Sequence, residues 1–369
     1  MTDTGAAGRA ESEMDAYLAL EDGTVIEGDG HGVADEVQGE LVFTTQYTGY
    51  EESLTDPSYA FQMLMFTYPL IGNYGVDPAS FQSDGIKAEA CIAREFSTSP
   101  PDVLEWFERE EIPAMEGVDT RELTIRTREH GTMRAGLDVG PDASAERARE
   151  LAEDCPPIES KDLGAQVTVD EPTLHEGVDG GHGPTVALID CGCKRNIVTS
   201  LRNRDMDVVS MPYDASPGEI RDVDPDLLFV SNGPGDPANY EDAVAAVDEF
   251  TGELPVAGVC LGHQLIARSF GAETYKLKFG HRGANQPVKD LEDEVVHITA
   301  QNHGFAVEEA TLDPLEITEI NANDGTSEAV EAPDLKVTAR QYHPEAHSGP
   351  RDTEQEFFDQ VLRYADEGL

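Results

Sequence analysis

The sequence predicts an α/β protein with a C-terminal doubly wound, mostly parallel sheet and a smaller β-rich α/β domain before it. Three observations predict this. After about residue 184, short apolar strands alternate with helical patterns, which is typical of a parallel sheet covered by helices on both faces. Before residue 150, short β-like segments are separated by Gly, Asp and Pro. The length of 369 residues also exceeds that of one average domain.

We divide the chain into four predicted regions. Residues 1–14 contain no apolar run and predict a disordered acidic tail. Residues 15–150 form the predicted N-terminal domain, and residues 184–369 form the predicted C-terminal domain. Residues 151–183 show little periodicity and are rich in Gly, Pro and acidic residues, which predicts a linker between the two domains.

The N-terminal domain is predicted to consist mainly of short strands. The segments that predict them are AYLALEDG, TVIEGDG, GELVFTTQYTG and FQMLMFTYPL. One helix, PDVLEWFEREE from Pro101, is predicted to interrupt these strands. Its apolar residues Val103, Leu104, Trp106 and Phe107 fall on one side, as in an amphipathic helix that covers a sheet.

The C-terminal domain is predicted to alternate strands and helices. The strands are PTVALIDCG, VVSMPYD, DLLFVSNGPGDP and LPVAGVC, and the helices are KRNIVTSLRNRDMD, EDAVAAVDEF and LGHQLIARSF. Later segments predict shorter, partly antiparallel strands, and a final helix over 352–369 has a predicted capping box from Thr353 to Glu356. Because ligands bind beyond the carboxyl ends of parallel strands, the strand-end sequences CGCKRN, SNGPGDP and CLGHQ predict the functional site.

The charge of the chain limits its partners. The sequence has 74 acidic and 25 basic residues, so its formal net charge is −49. Phosphate binding needs a basic face, and the sequence contains no cluster of Lys and Arg, so we expect no nucleic acid partner. At ~1 M salt the Debye length falls to about 3 Å, which screens the repulsion between like charges. We therefore hypothesise a source with a salt-rich cytoplasm.

Cysteine usage and hydropathy predict a soluble protein in a reducing compartment. The five cysteines are an odd number without framework spacing, which favours free thiols. Cys191 and Cys193 have no second pair to complete a zinc site, and no metal is expected. No apolar run approaches the ~20 residues of a membrane span, and the N-terminal stretch lacks the pattern of an export signal. A cytoplasmic location without membrane contact is therefore expected.

Cys260, in GVCLGHQ at 258–264, is the candidate nucleophile. It lies where an apolar strand ends and a helical pattern begins, and Gly258 and Gly262 allow neighbouring backbone to pass close to this tight turn. The N-terminus of a helix favours anions and therefore a thiolate. The alternative is a small buried residue that ends a strand, and the flanking glycines favour the nucleophile over it.

The sequence QYHPEAH supplies a candidate base and its acceptor. Pro344 excludes a helix interior, so His343 and Glu345 lie two apart on an extended stretch and point to the same side. Glu345 can then hold the imidazole of His343 while His343 faces the sulfur. His343 and His347 have the spacing of metal ligands on a helix, but Pro344 disrupts that geometry. A solvated charged loop is the remaining alternative.

Acyl transfer to a thiol also needs hydrogen-bond donors for the developing oxyanion. The loop SNGPGDP ends a buried strand, and its glycines let bare backbone approach a ligand. Gly233 or Gly235 could complete an oxyanion hole with the N–H of Leu261, which follows the nucleophile. An ordinary turn is the alternative for this loop.

Three motifs, GVCLGHQ, SNGPGDP and HPE, together resemble the class I (triad) glutamine amidotransferase domain over about residues 184–365. The combination is specific, whereas each motif alone is not. Five further segments resemble the small, glutamine-hydrolysing subunit family of carbamoyl-phosphate synthase: TGYEESLTDPSYAFQ, TYPLIGNYG, GVDTRELT, KFGHRGANQPV and QNHGFAV. This second resemblance spans nearly the whole chain after the acidic tail.

The resemblance implies hydrolysis of L-glutamine to glutamate and ammonia. Cys260 would attack the side-chain amide, His343 would transfer the proton, and Glu345 would orient His343. The residues implied for glutamine binding are Ser58, Gly233, Gly235, Leu261, Gln264, Asn302, Gly304 and Phe305. Ser58, in LTDPSY, would reach the amino-acid end of glutamine from the N-terminal domain, which would form the lip of the site.

The resemblance also implies a partner chain. The sequence has no G-x-x-x-x-G-K-[ST] loop, and its glycines at 28–32 do not form G-x-G-x-x-G, so no cofactor is expected in this chain. A separate large subunit would contact the N-terminal domain and use ATP, Mg²⁺ and bicarbonate. It would receive ammonia through an internal passage and make carbamoyl phosphate for pyrimidine and arginine biosynthesis.

Three alternative functions remain open from the sequence. Another triad amidotransferase, serving purine, folate or tryptophan synthesis, would typically lack the β-rich N-terminal domain. A non-enzymatic regulatory module is disfavoured by the intact Cys260, His343 and Glu345. A cysteine peptidase of similar fold is disfavoured by Gln264 and by the sequence QNHGF.

Overall fold

The structure is a computed structural model that describes residues 14–100, 102–308 and 313–369. The predicted acidic tail lies outside the described residues except for Met14, which begins a strand. Pro101, where a helix was predicted to begin, also lies outside them. The described residues form a closed barrel, a ten-stranded sheet and a two-stranded sheet. The predicted α/β fold class is confirmed.

The N-terminal half is built around a closed seven-stranded barrel. Its elements are β1 (Met14–Leu20), β2 (Val25–Gly32), β3 (Asp35–Thr44), α1 (Tyr50–Leu54), β4 (Gln62–Phe66), β5 (Leu70–Ile71), β6 (Ala90–Ile92), β7 (Glu95–Phe96), α2 (Asp102–Arg109), β8 (Pro113–Glu116), α3 (Thr120–His130), β9 (Met133–Gly140) and α4 (Ala145–Asp154). The strand order around the barrel is β1-β2-β8-β6-β4-β3-β9, and β5 pairs separately with β7. The pairings β3–β4, β4–β6 and β6–β8 are parallel, so the barrel mixes both strand directions.

Apolar side chains fill both sides of the barrel wall. Successive residues of a strand point to opposite faces, so Leu41 and Phe43 of β3 join the cluster inside the barrel while Val42 packs outside. The outer cluster also contains Trp106 and Phe107 of α2, which are fully buried. The apolar side of α2 therefore packs against the barrel wall.

The prediction of a single helix in this domain is wrong. The β-branched residues of α3 lower its helix propensity, which hides the helix in the sequence. Asp119 begins α3 by accepting a hydrogen bond from the N–H of Glu122 at 3.0 Å. Ser144 begins α4 in the same way, with the N–H of Arg147 as donor. α4 continues past residue 150, where the domain was predicted to end.

The C-terminal half is built on the ten-stranded sheet. Its elements are α5 (Gly164–Val167), β10 (Thr173–His175), β11 (Thr185–Asp190), α6 (Arg195–Arg202), β12 (Asp207–Pro212), α7 (Pro217–Asp222), β13 (Leu227–Val230), α8 (Glu241–Phe250), β14 (Val256–Val259), α9 (Leu261–Ser269), β15 (Thr274–Asp290), β16 (Val296–Val307), β17 (Glu316–Asn321), β18 (Ser327–Ala332), β19 (Val337–Arg340) and α10 (Asp352–Glu367). The strand order is β10-β12-β11-β13-β14-β19-β18-β17-β15-β16. The neighbours from β12 to β19 are parallel, and the remaining pairs are antiparallel.

Helices cover both faces of the parallel strands. In β11, Ala187 and Ile189 pack in one cluster with α8 and α9, whereas Val186 and Leu188 pack in another with α6 and α10. Burial on both faces explains the continuous apolar runs of these strands. The doubly wound sheet predicted from those runs is confirmed.

The segments at the two edges of the sheet differ from the prediction. The predicted linker at 151–183 contains α5 and β10, and β10 pairs with β12 at one edge. At the other edge, β15 and β16 form a hairpin of 17 and 12 residues instead of short strands.

The final helix begins at Asp352 as predicted, but its predicted capping box is wrong. α10 begins at Asp352 with Arg351 as its N-cap, so Thr353 and Glu356 form no capping box. Of the helices within the described residues, none has the length and apolar character needed to cross a membrane.

Candidate active site

Four strand ends meet at one edge of the parallel sheet. β11, β13, β14 and β19 are parallel neighbours, so their carboxyl ends lie side by side. Lys194, Asn232, Cys260 and His343 follow these strands in that order. The sequences CGCKRN, SNGPGDP, CLGHQ and QYHPEAH therefore converge on one region.

Cys260 forms a sharp turn between β14 and α9. Its φ is 56° and its ψ is −105°, a region that residues other than glycine rarely occupy. Its N–H donates to the carbonyl of Arg340 at 2.7 Å, which ties the turn to β19. Its Sγ donates to the carbonyl of Asn302 at 3.6 Å, and the residue is only 2% exposed. The strained turn holds the thiol at the strand end, as a nucleophile elbow does.

Gly258 and Gly262 allow α9 to pack directly on the sheet. A Cβ on Gly262 would lie 2.1 Å from the carbonyl oxygen of Val230 in β13. A Cβ on Gly258 would lie 2.9 Å from the carbonyl carbon of Gly262. Both contacts involve backbone, so rotation of a side chain could not relieve them. The glycines on either side of Cys260 are therefore a packing requirement of the elbow.

His343 and Glu345 form a buried pair beside Cys260. Nδ1 of His343 lies 2.8 Å from Oε1 of Glu345. Burial lowers the pKa of His343, but the Glu345 carboxylate outweighs it and the pKa is raised to about 10. Nε2 of His343 has no hydrogen-bond partner among the described residues, and the Cys260 thiol is close enough to contribute to this pKa. The structure thus brings together the three residues predicted as nucleophile, base and acceptor.

A buried lysine also contacts Glu345. Nζ of Lys194 lies 3.2 Å from Oε1 of Glu345 and 3.2 Å from Oε1 of Glu52, a residue of α1 in the N-terminal domain. Burial raises the pKa of Glu345, but Lys194 and His343 lower it by more, to about 2. Burial likewise lowers the pKa of Lys194, and the surrounding carboxylates raise it above its usual value. The motif CGCKRN placed Lys194 at a strand end but indicated no role for it.

A narrow cleft opens at Cys260. Every residue implied for glutamine binding lines it: Ser58, Gly233, Gly235, Leu261, Gln264, Asn302, Gly304 and Phe305. These residues come from the N-terminal domain, from the loop after β13, from α9 and from β16. The cleft therefore lies between the two domains.

Hydrogen bonds fix the orientation of residues that line the cleft. Nδ2 of Asn232 donates to Oγ of Ser58 at 2.9 Å, which ties the N-terminal domain to the loop SNGPGDP. Nε2 of Gln264 donates to the carbonyl of Phe305 at 2.9 Å, which ties α9 to β16. Asn232 was not among the predicted site residues, although it lies inside a quoted motif.

Leu261 and the loop SNGPGDP offer backbone positions that are suitable for an oxyanion hole. Leu261 is the first residue of α9, so its N–H has no acceptor within the helix. Gly233 lies so close to the carbonyl oxygen of Cys191 that a Cβ there would be 2.2 Å away. Gly235 has a φ of 83°, which favours glycine. The loop SNGPGDP therefore needs Gly233 in order to pass beside Cys191, and Gly235 for its left-handed backbone conformation.

Several polar residues of the cleft were not predicted: Glu40, Gln62, Lys276, Arg282 and His303. Lys276 forms an ion pair with Glu40 at 2.5 Å, which joins β15 to β3. Arg282 is buried, and burial lowers its pKa. Arg282 and His303 lie in KFGHRGANQPV and QNHGFAV. These two segments carry the family resemblance and could have pointed to both residues as part of the cleft. Nothing local indicates the other residues, because their place in the cleft depends on how the two domains pack.

One cluster within the described residues has the composition of a metal site. Donor atoms of His281, His303 and Glu328 lie within 4.8 Å of one another. His303 is hydrogen-bonded at both ring nitrogens, with Nδ1 2.8 Å from the carbonyl of Phe305. Nε2 of His281 lies 2.8 Å from Oδ2 of Asp324. These bonds support interpretation as a buried hydrogen-bond network behind the cleft.

Comparisons with known proteins match both halves of the chain. The family model described as glutamine amidotransferase class-I matches residues 187–362. The family model described as carbamoyl-phosphate synthase small chain, CPSase domain, matches residues 18–137. These two ranges correspond to the sheet-based half and to the barrel.

Curated relatives match nearly the full length. The carbamoyl phosphate synthase small chain of Halobacterium salinarum is 51% identical over 355 residues, which cover 95% of this chain and 97% of the relative. That of Methanosarcina mazei is 50% identical over 369 residues, which cover 96% of this chain and 100% of the relative. That of Methanocaldococcus jannaschii is 45% identical over 357 residues, which cover 96% of this chain and 99% of the relative. The chain belongs to the carbamoyl phosphate synthase small chain family, and its C-terminal half is a class I glutamine amidotransferase domain.

Proposed function

We propose that this chain is the glutamine-hydrolysing subunit of a carbamoyl phosphate synthase. The observation that carries the proposal is the position of Cys260, on a strained turn beside the buried pair of His343 and Glu345. Membership of the small chain family supports the same conclusion. The substrate is L-glutamine, and the products are glutamate and ammonia.

The reaction proceeds through a cysteinyl thioester. The thiolate of Cys260 attacks the side-chain amide carbon of glutamine, and the imidazolium of His343 donates its Nε2 proton to the amide nitrogen. The C–N bond breaks and ammonia leaves. Neutral His343 then takes a proton from the water that attacks the thioester, which releases glutamate and restores the thiolate. Glu345 orients His343 through Nδ1 and stabilises its charged form.

The cleft holds glutamine in the orientation that this attack needs. The N–H of Leu261, with that of Gly233 or Gly235, donates to the developing oxyanion. Gln264, Asn302, Gly304 and Phe305 hold the substrate, and Ser58 contacts its amino-acid end from the N-terminal domain. The lining of the cleft by all of these residues supports this assignment.

A large subunit uses the ammonia. This partner binds ATP, Mg²⁺ and bicarbonate, contacts the N-terminal domain and makes carbamoyl phosphate for pyrimidine and arginine biosynthesis, so that this chain needs no cofactor. Ammonia released into water would be protonated and would no longer be a nucleophile, which is a reason for transfer through an internal passage. The names of the relatives as small chains support a partner of this kind. The compartment is a cytoplasm, and the net charge of −49 supports one rich in salt.

Replacing the nucleophile tests the proposed activity. The variant Cys260→Ser should release glutamate from glutamine at least ~10³-fold more slowly than the wild-type chain, because the hydroxyl is a far weaker nucleophile than the thiolate. A glutamine-analogue electrophile should label Cys260 and spare the other four thiols by mass spectrometry. Cys91→Ser is the matched control, because Cys91 lies in the outer apolar cluster of the barrel, whose residues do not line the cleft. Equal glutamate release by Cys260→Ser and the wild type would overturn the proposal.

A further inference from the structure

A buried chain of charges joins the N-terminal domain to the catalytic pair. Lys194 is 3% exposed, and its Nζ lies midway between Glu52 and Glu345, 3.2 Å from a carboxylate oxygen of each. Glu52 belongs to α1, Lys194 precedes α6, and Glu345 follows β19. The second oxygen of Glu52 accepts a hydrogen bond from the N–H of His347 at 3.2 Å. The contact therefore links three segments that are distant in sequence.

We propose that Lys194 is a positioning residue that sets the charge balance of His343 and Glu345, and that Glu52 holds Lys194 in place from the N-terminal domain. This inference rests on the glutaminase activity proposed above. Oε1 of Glu345 is shared by Nδ1 of His343, at 2.8 Å, and Nζ of Lys194, at 3.2 Å. Each cation therefore competes with the other for the same oxygen.

This arrangement fits the demands of the catalytic cycle. His343 alternates between a charged and a neutral form, and a buried carboxylate without a cation is strongly unfavourable. Lys194 keeps Glu345 paired when His343 is neutral. Lys194 also lowers the pKa of both Glu345 and His343. A lower pKa makes the imidazolium a stronger acid, which favours proton donation to the leaving ammonia.

The titratable and charged groups around the pair come from every neighbouring segment. They are Glu52 and Asp56 in the N-terminal domain, Cys193 and Lys194 after β11, Cys260 before α9, Arg282 on β15, His303 on β16, and His347 after β19. Of these, Lys194 is the cation that contacts Glu345 directly. Its removal should therefore have the largest effect on the pair.

The double variant Lys194→Met with Glu52→Gln tests the inference in the full chain. It removes one positive and one negative buried charge together, so no charged Glu52 is left without Lys194, and Glu345 keeps His343 as its cation. Loss of Lys194 should raise the pKa of Glu345 and of His343. Both limbs of the pH profile for glutamine hydrolysis should consequently move to higher pH, by about 1 unit. A purely structural role would lower the rate and leave both midpoints unchanged.

Two single variants serve as matched controls. Lys194→Arg keeps the charge and should give the wild-type midpoints. Glu52→Gln leaves Glu345 as the only one of the two carboxylates that still pairs with Lys194. The acid limb of the pH profile for glutamine hydrolysis should therefore move to lower pH or stay in place. If the double variant does not fold, as judged by circular dichroism, an upward shift in Glu52→Gln would overturn the inference on its own.

The pH dependence of Cys260 alkylation by iodoacetamide separates this inference from the proposed function. The rate of alkylation depends on the fraction of Cys260 that is ionised to the thiolate, and it does not require hydrolysis of glutamine. A wild-type chain that releases no glutamate would contradict the proposed function. A folded double variant with wild-type midpoints for alkylation and hydrolysis would contradict the role of Lys194.

Discussion

At the residue scale, two buried groups make the stability of the protein depend on pH. The pKa of His343 is raised from 6.5 to about 10, so its stabilising contribution is complete below pH 6.5 and is lost as the pH rises through about 10. The pKa of Glu345 is lowered from 4.5 to about 2, so its contribution is complete above pH 4.5 and is lost as the pH falls through about 2. Mildly acidic pH is therefore where the pair contributes most.

The variant Glu345→Gln tests this dependence. Removing the carboxylate leaves Lys194 without one of its two partners, which should destabilise the fold by about 3 kcal/mol. The pKa of His343 should also fall to 6.5 or below, because burial and Lys194 both lower it once Glu345 no longer raises it. The loss of stability between pH 6.5 and 10 should therefore be smaller than in the wild type. Thermal unfolding followed by circular dichroism across this range measures both effects.

A glutamate on the surface provides the control for this comparison. Glu356 is exposed on α10, so Glu356→Gln should reproduce the wild-type dependence on pH. An equally steep decline in Glu345→Gln and in the wild type would contradict the assignment to the buried pair.

At the scale of elements, the junction of β14 and α9 determines where the Cys260 thiol lies. The positive φ of Cys260 turns the chain sharply, and the absence of side chains at Gly258 and Gly262 brings α9 against β13 and β14. The first N–H groups of α9 are thereby placed beside the sulfur. One packing contact between a helix and two strands thus positions both the thiol and the N–H of Leu261, which we propose as an oxyanion donor.

The variant Gly262→Ala should disrupt this junction. Its Cβ would lie 2.1 Å from the carbonyl oxygen of Val230, so the helix must move away from the sheet. We expect a loss of about 3 kcal/mol in the free energy of unfolding, measured by guanidinium denaturation, together with slower glutamine hydrolysis. Gly218→Ala in α7 is the matched control, because its Cβ would be no closer than 3.9 Å to any atom of its surroundings. An unchanged denaturation midpoint for Gly262→Ala would contradict this account of the elbow.

At the scale of the whole molecule, the charge determines the conditions in which the protein is stable. With 74 acidic and 25 basic residues, repulsion between like charges opposes the folded state at low ionic strength. The Debye length falls from about 10 Å at 0.1 M salt to about 3 Å at 1 M salt, so added salt screens this repulsion.

We expect the thermal unfolding midpoint to rise steadily as KCl is increased over this range. Far-UV circular dichroism measures the midpoint at each concentration. An uncharged osmolyte such as sucrose is the control, because it acts without screening charges. A loss of secondary structure on adding KCl, recovered on desalting, would contradict the proposal.

The sequence by itself determined the elements whose causes are local. Continuous apolar runs in β11, β13 and β14 predicted a sheet buried on both faces, because each strand must be apolar on both sides to pack there. Pro344 correctly excluded a helix interior between His343 and Glu345. The predicted extended stretch is wrong, because residues 344–345 form a turn in which the N–H of Ala346 donates to the carbonyl of His343 at 3.2 Å. The two side chains nevertheless meet, with Nδ1 of His343 2.8 Å from Oε1 of Glu345. Glycines on both sides of Cys260 indicated a tight turn, because a residue without a side chain lets neighbouring backbone pass close to it.

The family resemblance implied that Ser58 joins the site, but only the tertiary structure showed that Glu52, Lys194 and Asn232 do so. Glu52 and Lys194 are 142 positions apart, and Ser58 and Asn232 are 174 positions apart, yet each pair is in hydrogen-bond contact. The parallel pairings of the barrel and the burial of Lys194 likewise gave no local pattern in the sequence. The physical reason is that such contacts arise from the packing of two domains against each other, and the free energy of that packing depends on whole surfaces rather than on neighbouring residues.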